Sequence, residues 1–176
     1  MLSKKFVVFD RDGTLIEHVH HLNRLDQVEL KEDAIRAVFK LSQSKFHLGI
    51  ISNQSVVGRG LASIENVTSI NSKILDLFAV EGISFDFVYF CPHLPTDFCK
   101  CRKPRIGLGK LAMHQHGLDP SLSYMVGDQE SDIVFGSRLG LTTIQLVENG
   151  QRCELADYHS ASLEAAVETI LRLSGG

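Results

Sequence analysis

A short apolar run near the start of this 176-residue chain ends in two closely spaced carboxylates. The run covers residues 6–9, and Asp10, Asp12 and Gly13 follow it. A strand buried in a parallel sheet delivers the residues after it to the carboxyl edge, where open α/β folds bind ligands. The pattern therefore predicts a strand that presents two carboxylates at a ligand-binding edge. The alternative is a strand followed by an ordinary Asp-Gly turn.

The rest of the chain alternates between strand-like and helix-like patterns. The predicted strands are 6–9, 46–51, 86–90, 123–126 and 142–147, and the predicted helices are 32–43, 64–81, 107–117, 132–139 and 163–173. In the first helix, Ile35, Val38, Phe39 and Leu41 are expected on one face. Such alternation predicts an α/β fold, a Rossmann-like doubly wound parallel sheet with helices on both faces. We expect one domain over residues 1–176, with no separate cap domain.

Charge and hydropathy narrow the classes of partner. The net charge is −3 and the chain has no long basic run, so we expect no nucleic-acid partner. No apolar stretch approaches the roughly 18 residues of a membrane span, and the first apolar run is too short for a signal peptide. We therefore expect a cytoplasmic protein without a membrane partner. The oligomeric state stays open, and a monomer is compatible with the sequence.

Polar side chains follow four of the predicted strands. They are Asp10 and Asp12, Ser52, Lys103, and Asp128 with Asp132. Because the carboxyl ends of parallel strands share one edge, these groups are expected to converge. Carboxylates suit Mg²⁺, and a metal with a lysine offsets the charge of phosphoryl oxygens. The set therefore indicates phosphoryl transfer on a small phosphorylated metabolite.

Three of the four cysteines lie within eleven residues, together with a histidine. Cys91, His93, Cys99 and Cys101 offer three thiolates and an imidazole, which is a closed tetrahedral set for Zn²⁺. In a cytoplasmic protein such clustering favours a metal site over disulfides. The alternative is a reduced cysteine-rich loop with an incidental histidine. Cys153 stands apart and has no assigned role.

Four ordered motifs resemble those of the haloacid dehalogenase-like phosphatases. They are Asp10-Arg11-Asp12-Gly13-Thr14, Ser52-Asn53-Gln54, Lys103-Pro104, and Gly127-Asp128 followed by Asp132. The resemblance implies that Asp10 is the nucleophile that becomes an aspartyl phosphate and that Asp12 is the general acid and base. It also implies that Ser52 and Lys103 bind the phosphoryl oxygens.

The same resemblance implies a ligand set for Mg²⁺. The expected ligands are the carboxylate of Asp10, the backbone carbonyl of Asp12 and the carboxylate of Asp128. Asp132 is expected as an outer-shell or alternate ligand.

The cysteine-rich run from Cys91 through Lys103-Pro104 is similar to the zinc loop of two phosphatase groups. One group acts on histidinol phosphate and the other on D-glycero-D-manno-heptose 1,7-bisphosphate. The resemblance implies a structural Zn²⁺ that fixes the loop and directs Arg102 and Lys103 towards the site.

Details of the motifs differ between these two groups. The segment Cys-Pro-His-Leu-Pro is similar in sequence to the loop of the histidinol-phosphate enzymes. The segment from Asn53 to Gly60 is more similar to the corresponding segment of the heptose enzymes. That segment implies substrate contacts from Asn53, Gln54 and Arg59. Arg59 and Arg102 suit a second phosphate, since guanidinium binds phosphate in bidentate fashion. We therefore expect the heptose bisphosphate with removal of the 7-phosphate, and histidinol phosphate is the alternative.

Two further alternatives stay open at this stage. The same pocket can serve a non-catalytic phospho-binding module, although a carboxylate at position 12 supplies a proton relay that such a module does not need. A polynucleotide-end phosphatase is disfavoured by the acidic net charge. His18, His20 and His21 are expected to form a polar loop near the phosphate site rather than a second metal centre.

Overall fold

One parallel sheet with helices on both faces forms the centre of the computed structural model, which describes residues 3–147 and 151–175. In chain order the strands are β1 (Phe6–Phe9), β2 (His47–Asn53), β3 (Phe87–Cys91), β4 (Tyr124–Gly127), β5 (Thr142–Leu146) and β6 (Tyr158–Ser160). The helices are α1 (Ala34–Ser42), α2 (Ile64–Ala79), α3 (Gly107–His116), α4 (Glu130–Leu139) and α5 (Leu163–Leu173). Short 3₁₀ turns cover Leu25–Gln27, Pro95–Asp97 and Pro120–Leu122.

The strand order is β3-β2-β1-β4-β5-β6, and every neighbouring pair is parallel. From β1 the chain moves outward in one direction through β2 and β3, and then returns to place β4 on the other side of β1. The connections therefore diverge between β1 and β4. In open α/β sheets this topological switch point opens a crevice at the carboxyl ends of the strands.

Alternating side chains of the central strand β1 pack into two separate cores. In β1, Val7 and Phe9 join the cluster beneath α1, α2 and α5, whereas Phe6 and Val8 join the cluster beneath α3 and α4. All four side chains are fully buried. Such a double-sided strand reads as a continuous apolar run because both of its faces are covered.

The predicted fold class is confirmed, with differences in detail. Helix α4 begins at Glu130, two residues before the predicted start, and the three-residue strand β6 was not predicted. The expected position of Phe39 is wrong, because its side chain is 43% exposed while Ala37 and Val38 face the core. No part of the described chain forms a separate cap domain. The division into a single domain over residues 1–176 stays a prediction.

Among the described residues, no helix is both long enough and apolar enough to cross a membrane.

Candidate functional site

The carboxyl ends of β1 and β4 flank a polar cleft of about 320 Å³ at the topological switch point. Its lining combines acidic side chains (Asp10, Asp12, Asp132), basic side chains (Arg102, Lys103) and neutral polar ones (His18, Asn53, Gln129, Ser131). A larger cavity of about 530 Å³ adjoins it, and Gln129 lines both. The cleft therefore collects Asp10, Asp12, Lys103 and Asp132 from distant parts of the sequence, whereas Asp128 lines the adjoining cavity and Ser52 lines neither.

Lys103 is the buried cation at the bottom of this cleft. Its Nζ donates to Asp10 Oδ1 at 2.6 Å and to the carbonyl oxygen of Ile51 at 2.5 Å, and it lies 2.8 Å from Asp132 Oδ1. The lysine is only 3% exposed. A buried ammonium between two carboxylates is compensated by opposite charge, which makes this placement tolerable.

The buried carboxylates have shifted proton affinities. Burial raises the pKa of Asp10 to about 7, with Asp132 and Asp12 adding to the shift and Lys103 opposing it. Burial also raises the pKa values of Asp128 and Asp132. For Lys103, burial acts to lower the pKa, but the charges of Asp10 and Asp132 outweigh it and raise the pKa. These three aspartates therefore hold their protons more tightly than exposed aspartates do.

Three of these carboxylates form a candidate cation site. Oxygens of Asp10, Asp128 and Asp132 all lie within 4.8 Å of one another. Asp128 Oδ1 is buried without a hydrogen-bond partner, whereas Asp132 already binds Lys103 and the backbone N–H of Gln129. An oxygen-only, strongly acidic set fits Mg²⁺. Asp128 therefore offers a free ligand atom, and the role of Asp132 as an outer-shell or alternate ligand stays a prediction.

Gly13 gives the carboxylate of Asp128 its room. Its φ is +84°, and a Cβ at this position would lie 2.7 Å from Asp128 Oδ2. Such a distance is a severe clash, and the left-handed backbone conformation itself favours glycine. Both the turn after β1 and the space that Asp128 occupies therefore require glycine at position 13.

Two hydroxyls of the predicted motifs have no hydrogen-bond partner within the part of the chain that the structure describes. Ser52 Oγ and Thr14 Oγ1 are buried and make no hydrogen bond. Buried polar groups are normally hydrogen-bonded, so such an atom beside a ligand site is a candidate ligand contact. Ser52 is fully buried and is not among the lining residues of the cleft, so its expected contact with a phosphoryl oxygen stays a prediction.

Two residues expected to contact substrate have protein partners instead. The side-chain amide of Asn53 bonds to the main chain of Lys103. The buried amide of Gln54 donates from Nε2 to Asp12 Oδ2 at 2.7 Å and accepts from Arg11. Asn53 still lines the cleft, whereas Gln54 does not. Both amides thus support catalytic-motif residues, and Arg11 was missed as a partner because nothing in its sequence spacing marks it.

The two candidate substrate arginines differ in position. Arg102 lines the cleft, and its Nη1 donates to the carbonyl oxygen of His93 at 3.3 Å. Arg59 is exposed and is not among the lining residues. Its charge acts instead on His21, whose pKa is lowered by burial and by the neighbouring charges of His20 and Arg59.

The histidine loop contributes one side chain to the cleft. His18 lies in the lining, while the rings of His20 and His21 pack against each other with centroids 3.8 Å apart. Among the described residues, the candidate metal ligands gather in two groups, and neither group includes these histidines. Of the three histidines, His18 alone is among the lining residues of the cleft, and the role of the loop stays a prediction.

The second group of candidate metal ligands is the cysteine cluster. Cys91 Sγ lies 3.5 Å from His93 Nδ1, 3.6 Å from Cys99 Sγ and 3.2 Å from Cys101 Sγ. Tetrahedral Zn²⁺ with Zn–S bonds of about 2.3 Å would separate its ligand atoms by roughly 3.5–3.8 Å. The four side chains therefore fit a closed zinc site. Cys153 lies elsewhere, in the lining of the adjoining cavity.

The thiols of the cluster differ in acidity. Burial raises the pKa of Cys91 to about 12. Burial also acts to raise the pKa of Cys99, but hydrogen bonds from the Arg102 backbone, Cys101 and Cys91 outweigh it and lower the pKa to about 7. Because Zn²⁺ binds thiolates, metal binding at this cluster would release protons.

Comparison with known proteins identifies similar sequences. Residues 100–171 match the model of the HAD-hydrolase-like family. The histidine biosynthesis bifunctional protein HisB of Legionella pneumophila is 34% identical over 145 residues, which cover 81% of this chain and 41% of that protein. The HisB protein of Campylobacter jejuni is 29% identical over 187 residues, covering 99% of this chain and 53% of that protein. The chain thus spans about half the length of these curated relatives.

Solved structures share the fold at lower identity. The D,D-heptose 1,7-bisphosphate phosphatase from B. bronchiseptica, complexed with magnesium and phosphate, aligns with a TM-score of 0.87 and 24% identity. The alignment covers 96% of this chain and 99% of that one. The corresponding phosphatase from Burkholderia thailandensis aligns with a TM-score of 0.71 and 23% identity, over 96% of this chain and 99% of that one.

Proposed function

The chain is haloacid dehalogenase-like in its fold and in the family model that residues 100–171 match, and on this premise we propose that it is a Mg²⁺-dependent phosphomonoester hydrolase. The observation that carries the proposal is the contact of Lys103 Nζ with both Asp10 and Asp132, beside Asp128, at the switch point of the sheet. A nucleophilic carboxylate, a buried cation and a metal-type acidic set are what transfer of a phosphoryl group requires.

The proposed reaction has two steps that share one intermediate. In the first, an oxygen of Asp10 attacks phosphorus, the bond from phosphorus to the ester oxygen breaks, and Asp12 gives its proton to the departing alcohol. In the second, water attacks the aspartyl phosphate and gives a proton to Asp12, the bond to Asp10 breaks, and inorganic phosphate leaves. Ester and water become alcohol and phosphate, and both aspartates return to their starting state.

The remaining side chains bind and orient the phosphoryl group. Lys103 supplies the positive charge next to the nucleophile, and the free hydroxyl of Ser52 supplies a hydrogen bond. Mg²⁺, when bound by Asp10, Asp128 and the backbone carbonyl of Asp12, would offset phosphoryl charge that Lys103 alone leaves unbalanced. Zn²⁺, when bound by the cysteine cluster, would hold the loop that carries Arg102 and Lys103.

For the substrate we propose D-glycero-D-manno-heptose 1,7-bisphosphate, with removal of the 7-phosphate. The supporting observation is the guanidinium of Arg102 in the lining of a cleft that already contains Lys103, which gives two cations for two phosphates. The exposed position of Arg59 outside that lining gives no further support. We also propose the cytoplasm as the location, in keeping with a cluster of thiols that suits a metal rather than disulfides.

Histidinol phosphate is the second candidate substrate. It is favoured by the curated relatives, which are bifunctional proteins of histidine biosynthesis at 29–34% identity. The matched region is about half of the length of those proteins.

A phosphate-release assay with added Mg²⁺ distinguishes these possibilities. The substrates are both anomers of the heptose bisphosphate, histidinol phosphate and a 3′-phosphorylated oligonucleotide, with the Asp10→Asn variant as the control. We expect the highest kcat/KM for the heptose bisphosphate. A higher value for histidinol phosphate would favour the second candidate, and no release from any phosphomonoester would contradict the proposed function.

A further inference from the structure

Arg11 is a fully buried charged side chain that the proposed reaction does not use. It is only 1% exposed, although it lies between the two motif aspartates. Its guanidinium donates from Nε to Asp12 Oδ2 at 3.0 Å and from Nη2 to Asp12 Oδ1 at 2.9 Å. The same guanidinium donates to Gln54 Oε1 at 2.8 Å and to Asn71 Oδ1 at 2.9 Å.

These contacts close a ring around the carboxylate of Asp12. Arg11 binds both carboxylate oxygens, and Gln54 Nε2 donates to one of them at 2.7 Å while its own oxygen accepts from Arg11. A bidentate guanidinium–carboxylate pair fixes the plane of the carboxylate as well as its distance. The carboxylate therefore cannot rotate without giving up charge-assisted hydrogen bonds.

The held carboxylate still reaches the cleft. The side chain of Asp12 is 19% exposed and lines the cleft together with Asp10 and Lys103. Both oxygens of the carboxylate are thus bound to protein while the side chain stays partly open to the cleft. This is the arrangement expected for a proton-transfer group whose orientation is set before substrate binds.

We propose that Arg11, held by Gln54 and Asn71, is a positioning residue that fixes the carboxylate of Asp12 for proton transfer to the leaving group. The inference rests on the proposed function, because it takes Asp12 as the general acid and base. Asn71 lies on α2 and accepts a hydrogen bond from Nη1 of Arg11. It therefore acts on Asp12 through the guanidinium. These hydrogen bonds therefore connect the β1 loop, the β2 loop and α2 around the carboxylate of Asp12.

The test uses two substrates of similar shape whose leaving groups differ in basicity. Phenyl phosphate needs a proton on its departing oxygen far more than 4-nitrophenyl phosphate does. We expect Arg11→Lys, which keeps the charge but loses the planar fork, to lower kcat/KM for phenyl phosphate roughly tenfold, part of the 10²–10⁴-fold typical of acid–base catalysis. For 4-nitrophenyl phosphate we expect a change of less than about threefold, because its departure depends little on the general acid.

The matched control is Arg36→Lys, which alters an arginine–carboxylate pair with Glu164 far from the cleft. This variant should leave kcat/KM unchanged for both substrates. Asn71→Ala provides a second test should Arg11→Lys fail to fold. It should also lower kcat/KM selectively for phenyl phosphate, but by a smaller factor. The inference would be overturned if Arg11→Lys and Asn71→Ala lowered kcat/KM equally for both substrates, or if neither variant lowered kcat/KM.

Asp12→Asn separates this inference from the proposed function. If Asp12→Asn gives a leaving-group-selective loss and the Arg11 and Asn71 variants do not, Arg11 is not the positioning residue but Asp12 remains the acid. If Asp12→Asn itself shows no selectivity, the proposed role of Asp12 fails and the inference fails with it.

Discussion

The side-chain amide of Asn53 is paired with the main chain of Lys103 by two hydrogen bonds. Asn53 Nδ2 donates to the carbonyl oxygen of Lys103 at 3.1 Å, and the backbone N–H of Lys103 donates to Asn53 Oδ1 at 3.0 Å. The pair joins the end of β2 to the residue whose Nζ lies 2.6 Å from Asp10. The position of the buried ammonium therefore depends on an amide fifty residues earlier in the chain.

We expect Asn53→Asp to lower kcat/KM about tenfold. The aspartate keeps the acceptor for the Lys103 N–H but leaves the carbonyl oxygen of Lys103 without its donor, a loss worth about 1–3 kcal/mol. Asn66→Asp, at an exposed asparagine in the first turn of α2, is the matched control and should leave kinetics unchanged. Wild-type kinetics for Asn53→Asp would show that Lys103 is held without this pair.

The Asp10→Asn variant should reduce phosphate release to background. The substitution is nearly isosteric, and it removes the proposed nucleophile together with one carboxylate of the acidic set. Asp12→Asn should lower turnover, more strongly for phenyl phosphate than for 4-nitrophenyl phosphate, but should keep the increase in Tm that Mg²⁺ produces, because the expected ligand at that position is a backbone carbonyl. Phosphate release at a near-wild-type rate from Asp10→Asn would rule out the aspartyl-phosphate mechanism.

The purified protein should contain one tightly bound Zn²⁺ per chain, measured by elemental analysis. Cys91→Ser should remove the metal and lower Tm, because the four ligands of the cluster converge on one point and closed zinc sites stabilise their loops. Cys153→Ser is the control and should retain the zinc. Free reaction of Cys91, Cys99 and Cys101 with a thiol reagent, without release of metal, would contradict the zinc site.

Magnesium should stabilise the protein more at pH 8 than at pH 5.5. Asp10 has a pKa of about 7 in the folded protein, against an ordinary value of 3.8. Between these values the folded protein binds more protons than the unfolded chain, so the free energy of unfolding without metal falls as pH rises from about 4 to about 7.

Bound Mg²⁺ requires ionised carboxylates, so its effect on Tm should grow over the same interval. Thermal unfolding with and without Mg²⁺ measures this difference, and Asp128→Asn should largely abolish it because it removes one negative charge from the acidic set. A magnesium-induced rise in Tm of equal size at both pH values would disagree with the raised pKa of Asp10.

The ratio of kcat/KM for a bisphosphate over the matching monophosphate tests the role of the arginines. Arg102→Ala should lower this ratio about tenfold or more, since a charge-assisted contact contributes about 1.5–3 kcal/mol. Arg59→Ala should have a smaller effect because Arg59 does not line the cleft. Arg24→Ala, at an exposed pair with Asp26, is the control. An unchanged ratio in both Arg102→Ala and Arg59→Ala would favour histidinol phosphate.

Much of the fold was predictable from the sequence because the strands are buried on both faces. Runs such as residues 6–9 are apolar throughout, and the helices between them have their own periodicity. Strand β6 was missed because its three residues, Tyr158–Ser160, are mostly polar and lie at the sheet edge. Phe39 was misplaced because an aromatic residue beside a core face has the right spacing for burial even when it points to solvent.

The approach of the motif residues to one another was predictable from strand order, whereas their supporting contacts were not. Asp10, Lys103 and Asp132 lie together at one edge of the sheet, because the carboxyl ends of parallel strands share that edge. The contacts of Gln54 with Asp12 and of Asn71 with Arg11 depend on side-chain direction in three dimensions. An amide in a motif looks the same in the sequence whether it binds a substrate or another side chain.

Gly13 has a consequence for transplanting this site into another protein. The space that a side chain at position 13 would need is already filled by the carboxylate of Asp128, so the β1 and β4 loops interpenetrate. A chimaera that takes the β4 loop of this chain but carries a larger residue at position 13 would displace one of the candidate cation ligands. The two loops therefore form a single module for protein engineering and have to be exchanged together.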